Sequence, residues 1–153
     1  MGLLFFCCTR YHISALFPLF IPIFMNKKLL ILVVEDDVHI RNILQKKLTD
    51  QDFVVIMAHQ GQEGVDMALA QHPDLIIMDI IMPRLDGLSA IRKLRVDTWG
   101  KSVPIIVFTN LEDEGYVSQA VQEGVNKYVL KYKSSFSDIV KAVWEILGSG
   151  VNK

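Results

Sequence analysis

Five short apolar runs recur along this chain of 153 residues, and each is followed by a segment with helical periodicity. The runs have the length of buried strands and span residues 29–34, 53–57, 75–78, 105–108 and 128–130. An alternation of strands and helices of this kind is typical of an α/β fold with a parallel sheet. We therefore predict a doubly wound (βα)5 domain, in which helices cover both faces of five parallel strands.

Helical spacing predicts which side chains face this sheet. Asp37 can cap the first helix, and Ser135 with Asp138 forms a capping pattern before the last one. The inward positions predicted for the first, second and fourth helices are Ile40, Ile43, Leu44, Leu48, Val65, Ala68, Leu69, Val117, Ala120 and Val121.

The first 24 residues differ in composition from the rest of the chain. They hold 17 apolar side chains, five of the eight phenylalanines and a single charged residue, Arg10. Arg10 and two prolines interrupt the segment, so no apolar run reaches the ~18 residues that a membrane span needs. Two lysines and the first strand follow Met25, which favours a translation start at Met25 over a membrane anchor formed by residues 3–24. The expected organisation is an apolar leader at 1–24, one domain at 25–148 and a short tail at 149–153.

Charge and cysteine content narrow the possible classes of protein. The net charge is −1, and basic and acidic residues are dispersed. Electrostatic binding to nucleic acid needs a basic surface, so we expect no direct DNA binding. Cys7 and Cys8 are adjacent, which makes a structural disulfide between them improbable, and the rest of the chain has no cysteine. This usage fits a cytoplasmic protein.

Reactive side chains follow four of the five apolar runs. Glu35 and Asp36 follow the first run, Asp79 the third, Thr109 the fourth and Lys131 the fifth. Ends of parallel strands meet at one edge of the sheet, so these groups are predicted to lie together. Two carboxylates about 4 Å apart repel by roughly 4 kcal/mol at a dielectric near 20, and oxygen ligands of this kind suit Mg²⁺. Thr109 adds a hydroxyl and Lys131 an ammonium group, which supply the hydrogen-bond donor and the positive charge that a transferred phosphoryl group needs. Together these residues predict a phosphate-accepting aspartate.

Each of these residues, taken alone, also has an ordinary structural explanation. Acids such as Glu35, Asp36 and Asp37 are favoured at the start of a helix, and a β-branched residue such as Thr109 is common in strands. It is the combination of four matching strand ends that favours the functional interpretation.

The motifs at these positions resemble those of the receiver domains of two-component response regulators. They are Leu-Val-Val-Glu35-Asp36-Asp37, Asp79-Ile-Ile-Met82-Pro83, Leu85-Asp86-Gly87, Val-Phe-Thr109 and Tyr128-Val-Leu-Lys131. The resemblance covers residues 28–147. It implies a flavodoxin-like receiver fold with the strand order 2-1-3-4-5.

The resemblance also implies a role for each site residue. Asp79 would be the phosphoacceptor, and Lys131 and Thr109 would contact the phosphoryl oxygens. Tyr128 would be the aromatic side chain whose rotamer follows the state of Thr109. The residues that would hold Mg²⁺ are Glu35 through a bound water, Asp36, Asp79 and the backbone carbonyl of Ile81.

The function implied is that of a stand-alone response regulator. It would take a phosphoryl group from the phosphohistidine of a histidine kinase or phosphotransfer protein, and then bind a downstream protein. Its catalysis would be limited to its own phosphorylation and dephosphorylation, so it is not expected to be an enzyme. The partner face would span residues 112–147, and a homodimer through this face remains open.

Two residues depart from the family pattern and keep a second interpretation open. Asn110 stands where relatives have a small side chain, and Tyr132 stands where they typically have a proline. A pseudo-receiver, which binds partners without phosphorylation, is therefore the alternative. A flavodoxin-like FMN carrier is disfavoured because the acids after the first strand would repel its phosphate. An aspartate-nucleophile phosphatase lacks its second acid, since Ile81 occupies that position.

Overall fold

The computed structural model describes residues 28–148, so the predictions for residues 1–24 and 149–153 lie outside the described residues. Strands and helices alternate along this part of the chain, as the apolar runs predict. They are β1 (Leu30–Val34), α1 (Val38–Thr49), β2 (Val54–Ala58), α2 (Gly61–Gln71), β3 (Leu75–Met78), α3 (Gly87–Val96), β4 (Ile105–Thr109), α4 (Glu114–Gln122), β5 (Lys127–Leu130), a 3-10 turn (Lys131–Lys133) and α5 (Phe136–Gly148). Across these residues, no helix is both long enough and apolar enough to cross a membrane.

The five strands form one parallel sheet with the order 2-1-3-4-5, which confirms the predicted fold. Successive side chains of a strand point to opposite faces, so each central strand supplies two separate cores. Val34 of β1 belongs to the core on one face, whereas its neighbour Val33 belongs to the core on the other. β1, β3 and β4 lie inside the sheet, and this explains why their sequences are continuous apolar runs.

Three of the predicted inward side chains are instead exposed. Ile43, Leu69 and Val121 have 40%, 37% and 66% of their surface exposed, so these predictions are wrong. In α2 the buried residues are Gly61, Gly64, Val65 and Ala68, so two glycines share the packed face with two apolar side chains. A Cβ added at Gly64 would lie 2.7 Å from Val34, so the helix approaches the sheet closely at this position.

Aspartate caps fix where three of the helices begin. Asp37 caps α1 by accepting hydrogen bonds from the backbone of His39 and Ile40, as predicted. Asp86 and Asp113 cap α3 and α4 in the same way. Each cap ends a loop that starts at the carboxyl edge of the sheet. These loops therefore have defined conformations beside the predicted site.

Candidate functional site

Three carboxylates from the ends of two neighbouring strands come together at the carboxyl edge of the sheet. Glu35 and Asp36 follow β1, Asp79 follows β3, and one carboxylate oxygen from each lies within 4.8 Å of the others. The pairing of Val34 with Met78 places the two strand ends level. Glu35 and Asp79 are buried, with 2% and 4% of their surfaces exposed, whereas Asp36 is exposed.

Lys131 brings a positive charge to two of these carboxylates. Its Nζ lies 2.6 Å from Asp79 Oδ2 and 2.7 Å from Glu35 Oε2, and only 9% of its side chain is exposed. The ammonium also lies 5.7 Å from the centre of the Phe108 ring, within the range of a cation–π interaction. The side chain thus extends from the end of β5 across β4 to reach the acids.

The electrostatics of this cluster follow from burial and from Lys131. Burial raises the pKa of Glu35 to about 7, although the contact with Lys131 opposes the rise. Burial acts to lower the pKa of Lys131, but its hydrogen bonds to Asp79 and Glu35 outweigh burial and raise the pKa overall. Lys131 therefore stays charged at neutral pH, whereas Glu35 titrates near neutrality in the absence of a cation.

Backbone contacts hold Asp79 in place. Its amide donates to the carbonyl of Val34 at 3.0 Å, which continues the pairing of β3 with β1. Its Oδ1 accepts from the amide of Ile81 at 3.1 Å. The start of α3 closes on the same loop, because the amide of Gly87 donates to the carbonyl of Ile80 at 3.0 Å.

Arg41 is a site residue that the sequence analysis missed. Its guanidinium donates to the carbonyl of Glu35 at 2.6 Å and to that of Asp36 at 3.1 Å. It therefore fixes the backbone that carries both acids. A signal was present in the sequence, because side chains near the start of a helix tilt toward its N-terminus and Arg41 lies in the first turns of α1.

A cavity of about 300 Å³ opens over the acidic cluster. Its lining residues are Glu35, Asp36, Asp37, Ile40, Asp79, Ile81, Asn110 and Lys131. Asn110, one of the two departures from the family pattern, thus lines the cavity. Thr109 ends β4 as predicted, but it is fully buried and is not among the lining residues.

Tyr128 lies on β5, and its side chain is half-buried. Its hydroxyl donates to the backbone carbonyl of Leu111 at 2.7 Å. Burial raises the pKa of Tyr128, and the negative charges of Asp79 and Asp113 add to the rise. The phenol therefore remains protonated and keeps this donor.

The donor set fits a small divalent cation. Glu35, Asp36 and Asp79 supply oxygen ligands within reach of one another, and Lys131 offsets one of their three charges when all are ionised. Mg²⁺ prefers oxygen ligands, and it retains several waters, for which the open cavity leaves room. Ile81 lines the same cavity.

With this geometry in place, comparison with known proteins identifies the class. A sequence model of the response regulator receiver domain matches residues 31–143. The chain therefore belongs to the receiver domain family of two-component response regulators. Among the classes that the sequence analysis considered, this match favours a receiver over an FMN carrier or a phosphatase.

Individual relatives agree with this assignment. Over 101 residues the chain is 37% identical to the response regulator MprA of Mycobacterium avium, a match that covers 66% of this chain and 43% of the relative. It is 36% identical over 107 residues to a probable transcriptional regulator, ycf27, of Cyanophora paradoxa, covering 70% and 43% of the two chains. The match thus spans less than half the length of these relatives.

Solved structures share the fold. The receiver domain of the sensor histidine kinase PA1611 from Pseudomonas aeruginosa has a TM-score of 0.72 and 30% identity, covering 79% of this chain and 98% of that one. That structure has a magnesium ion coordinated in its active site cleft. The chemotaxis protein CheY4 of Vibrio cholerae also has a TM-score of 0.72, at 23% identity, with 77% and 98% covered.

Proposed function

We propose that this chain is a response regulator receiver in which Asp79 accepts a phosphoryl group from a phosphohistidine. The observation that carries the proposal is the buried contact of Lys131 with Asp79, at 2.6 Å, beside an acidic cluster that suits Mg²⁺. The donor would be a histidine kinase or a phosphotransfer protein.

The chemistry follows from the positions of the charged groups. A carboxylate oxygen of Asp79 attacks the phosphorus in line, the phosphorus–nitrogen bond of the donor breaks, and its electron pair returns to the imidazole. Lys131 Nζ neutralises charge on the phosphoryl oxygens as the new acyl phosphate forms. The open cavity above Asp79 leaves space for the donor to approach.

Mg²⁺, when bound, supplies further neutralisation of the phosphoryl oxygens. Asp36 and Asp79 would hold it directly, together with the backbone carbonyl of Ile81, and Glu35 would hold it through a water. Arg41 keeps the backbone of Glu35 and Asp36 in place for this purpose, through its two carbonyl contacts.

The response to phosphorylation would be read on the face formed by residues 112–147. Thr109 would bond a phosphoryl oxygen, and Tyr128 would change its rotamer as Thr109 moves. Tyr116 and Tyr132 are exposed on this face, by 41% and 56%, and offer aromatic contacts to a downstream protein or a second copy of the chain. We place this signalling in the cytoplasm and expect no direct contact with DNA.

A phosphorylation-independent interaction module is the second candidate. Two observations favour it: Asn110 lines the cavity, and Thr109 is fully buried and is not among the lining residues. The two candidates differ in whether Asp79 reacts at all.

Incubation of the chain with acetyl phosphate, followed by intact mass measurement, separates them. The proposed function predicts a gain of one phosphate that requires Mg²⁺ and is lost in Asp79→Ala. If neither acetyl phosphate nor a phosphohistidine donor adds phosphate with Mg²⁺ present, the interaction module is the correct function.

Mg²⁺ affinity is expected to rise with pH through neutrality. The pKa of Glu35 is raised to about 7, so a proton occupies this carboxyl below that pH and must leave before the cation binds. Competition of this kind predicts roughly ten-fold tighter binding at pH 8 than at pH 6. Titration calorimetry at several pH values measures the effect.

Glu35→Gln is the matched control for this dependence. It removes the titrating carboxyl but keeps Asp36 and Asp79, so the curve between pH 6 and 8 should flatten. A wild-type affinity that does not change between these pH values would contradict the proposed ligand role of Glu35.

A further inference from the structure

The loop between β3 and α3 contacts the start of α2 at two successive residues. Arg84 of this loop donates from Nη1 to Oε1 of Gln60, which directly precedes α2, at 2.7 Å. Beside this hydrogen bond, Gly61 at the start of α2 lies against the backbone of the next loop residue, Leu85. We call these four residues the α2–loop contact: Gln60, Gly61, Arg84 and Leu85.

Gly61 has no room for a side chain where it meets the loop. A Cβ added there would lie 2.3 Å from the carbonyl oxygen of Leu85 and 3.2 Å from its carbonyl carbon. Gly61 is also buried, and the side chain of Leu85 packs against the core to which α2 contributes. Because the crowded atoms belong to the backbone, a larger residue at position 61 would displace the loop, the helix or both.

The backbone of Arg84 is strained at this contact. Its φ angle is 68°, in the left-handed region that residues other than glycine, asparagine and aspartate seldom adopt. Such a conformation persists only where the surrounding structure holds it. Here the hydrogen bond to Gln60 holds the Arg84 side chain, and the amide of Leu85 donates to the carbonyl of Pro83 at 2.9 Å. The C-terminal part of the loop is therefore held in a defined conformation.

The same loop carries Ile81, whose carbonyl is a proposed Mg²⁺ ligand. Ile81 lines the cavity and 54% of its surface is exposed, so burial does little to fix its position. Its position depends instead on the backbone on either side. On the N-terminal side, the amide of Ile81 donates to Asp79 Oδ1 at 3.1 Å. On the C-terminal side, the α2–loop contact holds the chain three and four residues further on.

We propose that the α2–loop contact positions the Ile81 carbonyl for Mg²⁺, although neither Gln60 nor Gly61 lines the cavity. Gln60 and Gly61 are then positioning residues for the cation. The inference rests on the proposed function, since it takes the Ile81 carbonyl as a ligand. Loss of a contact that directly supports a metal ligand typically lowers the affinity for the metal by about 10- to 100-fold. The α2–loop contact lies one step further from the cation, so smaller effects are expected.

Gln60→Leu removes the acceptor of Arg84 without changing the net charge. The Gln60 side chain makes no capping hydrogen bond to α2, so the start of the helix loses none. Mg²⁺ affinity, measured by titration calorimetry on the full chain, should fall roughly two- to five-fold. The matched control is Gln62→Leu, the same substitution two residues later, which breaks a hydrogen bond of equal length, 2.7 Å, from Lys93 of α3. It should leave the affinity unchanged.

Gly61→Ala tests the backbone part of the contact. It should weaken Mg²⁺ binding roughly ten-fold, because the added Cβ displaces the backbone of Leu85. At saturating Mg²⁺, both variants should gain phosphate from acetyl phosphate within about two-fold of the wild-type rate, since a change confined to cation binding alters half-saturation and not the maximal rate. Circular dichroism checks the folding of each variant, and if Gly61→Ala is unfolded, Gln60→Leu decides.

The outcomes separate the inference from the proposed function. If wild type binds Mg²⁺ and Gln60→Leu binds it as tightly, or Gln62→Leu weakens binding by the same factor, the contact serves stability alone and the inference is wrong. A lower rate of Gln60→Leu at saturating Mg²⁺ would also contradict it. If wild type does not bind Mg²⁺ at all, the proposed function fails, and the inference fails with it.

Discussion

Lys131→Met is expected to slow phosphorylation of Asp79 by roughly 100- to 1000-fold, the usual result of removing one buried group that stabilises charge in a transition state. The ammonium of Lys131 touches both Asp79 and Glu35, and methionine keeps much of its length without the charge. The rate of phosphate gain from acetyl phosphate, measured by intact mass at saturating Mg²⁺, gives the effect.

The matched control for this substitution is Lys46→Met, which removes an exposed lysine of α1. It should leave the rate unchanged. Circular dichroism must show that Lys131→Met is folded, because the buried carboxylates lose their cation. A folded Lys131→Met chain that is phosphorylated within about three-fold of the wild-type rate would contradict the account, since removal of such a group ordinarily costs far more.

Gly87→Ala is expected to lower the free energy of unfolding by about 3 kcal/mol, at the upper end of the usual range for overpacked positions. A Cβ at residue 87 would lie 2.0 Å from the carbonyl oxygen of Asp79 and 2.9 Å from the Cα of Ile80. Because both neighbours are backbone atoms, the loop after β3 must move. The substitution should therefore also weaken Mg²⁺ binding, because this loop carries two of the proposed ligands.

Gly148→Ala provides the comparison, since nothing lies within 4 Å of an added Cβ at that helical position. It should change stability by no more than about 0.5 kcal/mol, as expected for an exposed helix end. Urea unfolding monitored by circular dichroism measures both variants. Equal stabilities for the two alanine variants would show that α3 does not close on Asp79 as described.

Much of the fold could be predicted because its three central strands, β1, β3 and β4, are buried on both faces. Strands of this kind have continuous apolar sequences. Their alternation with helices along the chain restricts the possible topologies. The helix faces were harder to predict. Leu69 fits a helical stripe by spacing, but two of the buried residues of α2 are Gly61 and Gly64, whose lack of a side chain gives no hydrophobic signal.

The site residues that end or follow a strand could be predicted from the sequence. Glu35, Asp36, Asp79 and Lys131 each end or follow a strand, and parallel pairing brings them together. What the sequence could not reveal depends on side-chain direction and on loop conformation. The burial of Thr109 and the carbonyl contacts of Arg41 are of this kind.

The hydrogen bonds of Tyr132 and Lys133 to Glu112 also escaped prediction, for a related reason. The two donors lie 20 and 21 positions from Glu112 in sequence, and the contacts join two segments without regular periodicity. Tyr132 drew notice because it departs from the family pattern, but its hydrogen-bond partner could be found only from the relative positions of the two loops.

Identification of the phosphorylated residue tests the central claim most directly. Sodium borohydride reduces an aspartyl phosphate to homoserine, so peptide sequencing of the phosphorylated and reduced chain locates the acceptor. The account predicts homoserine at position 79, formed only when Mg²⁺ was present during phosphorylation. Homoserine at position 36 instead, or phosphate gain without any homoserine, would contradict the assignment of Asp79 as the phosphoacceptor.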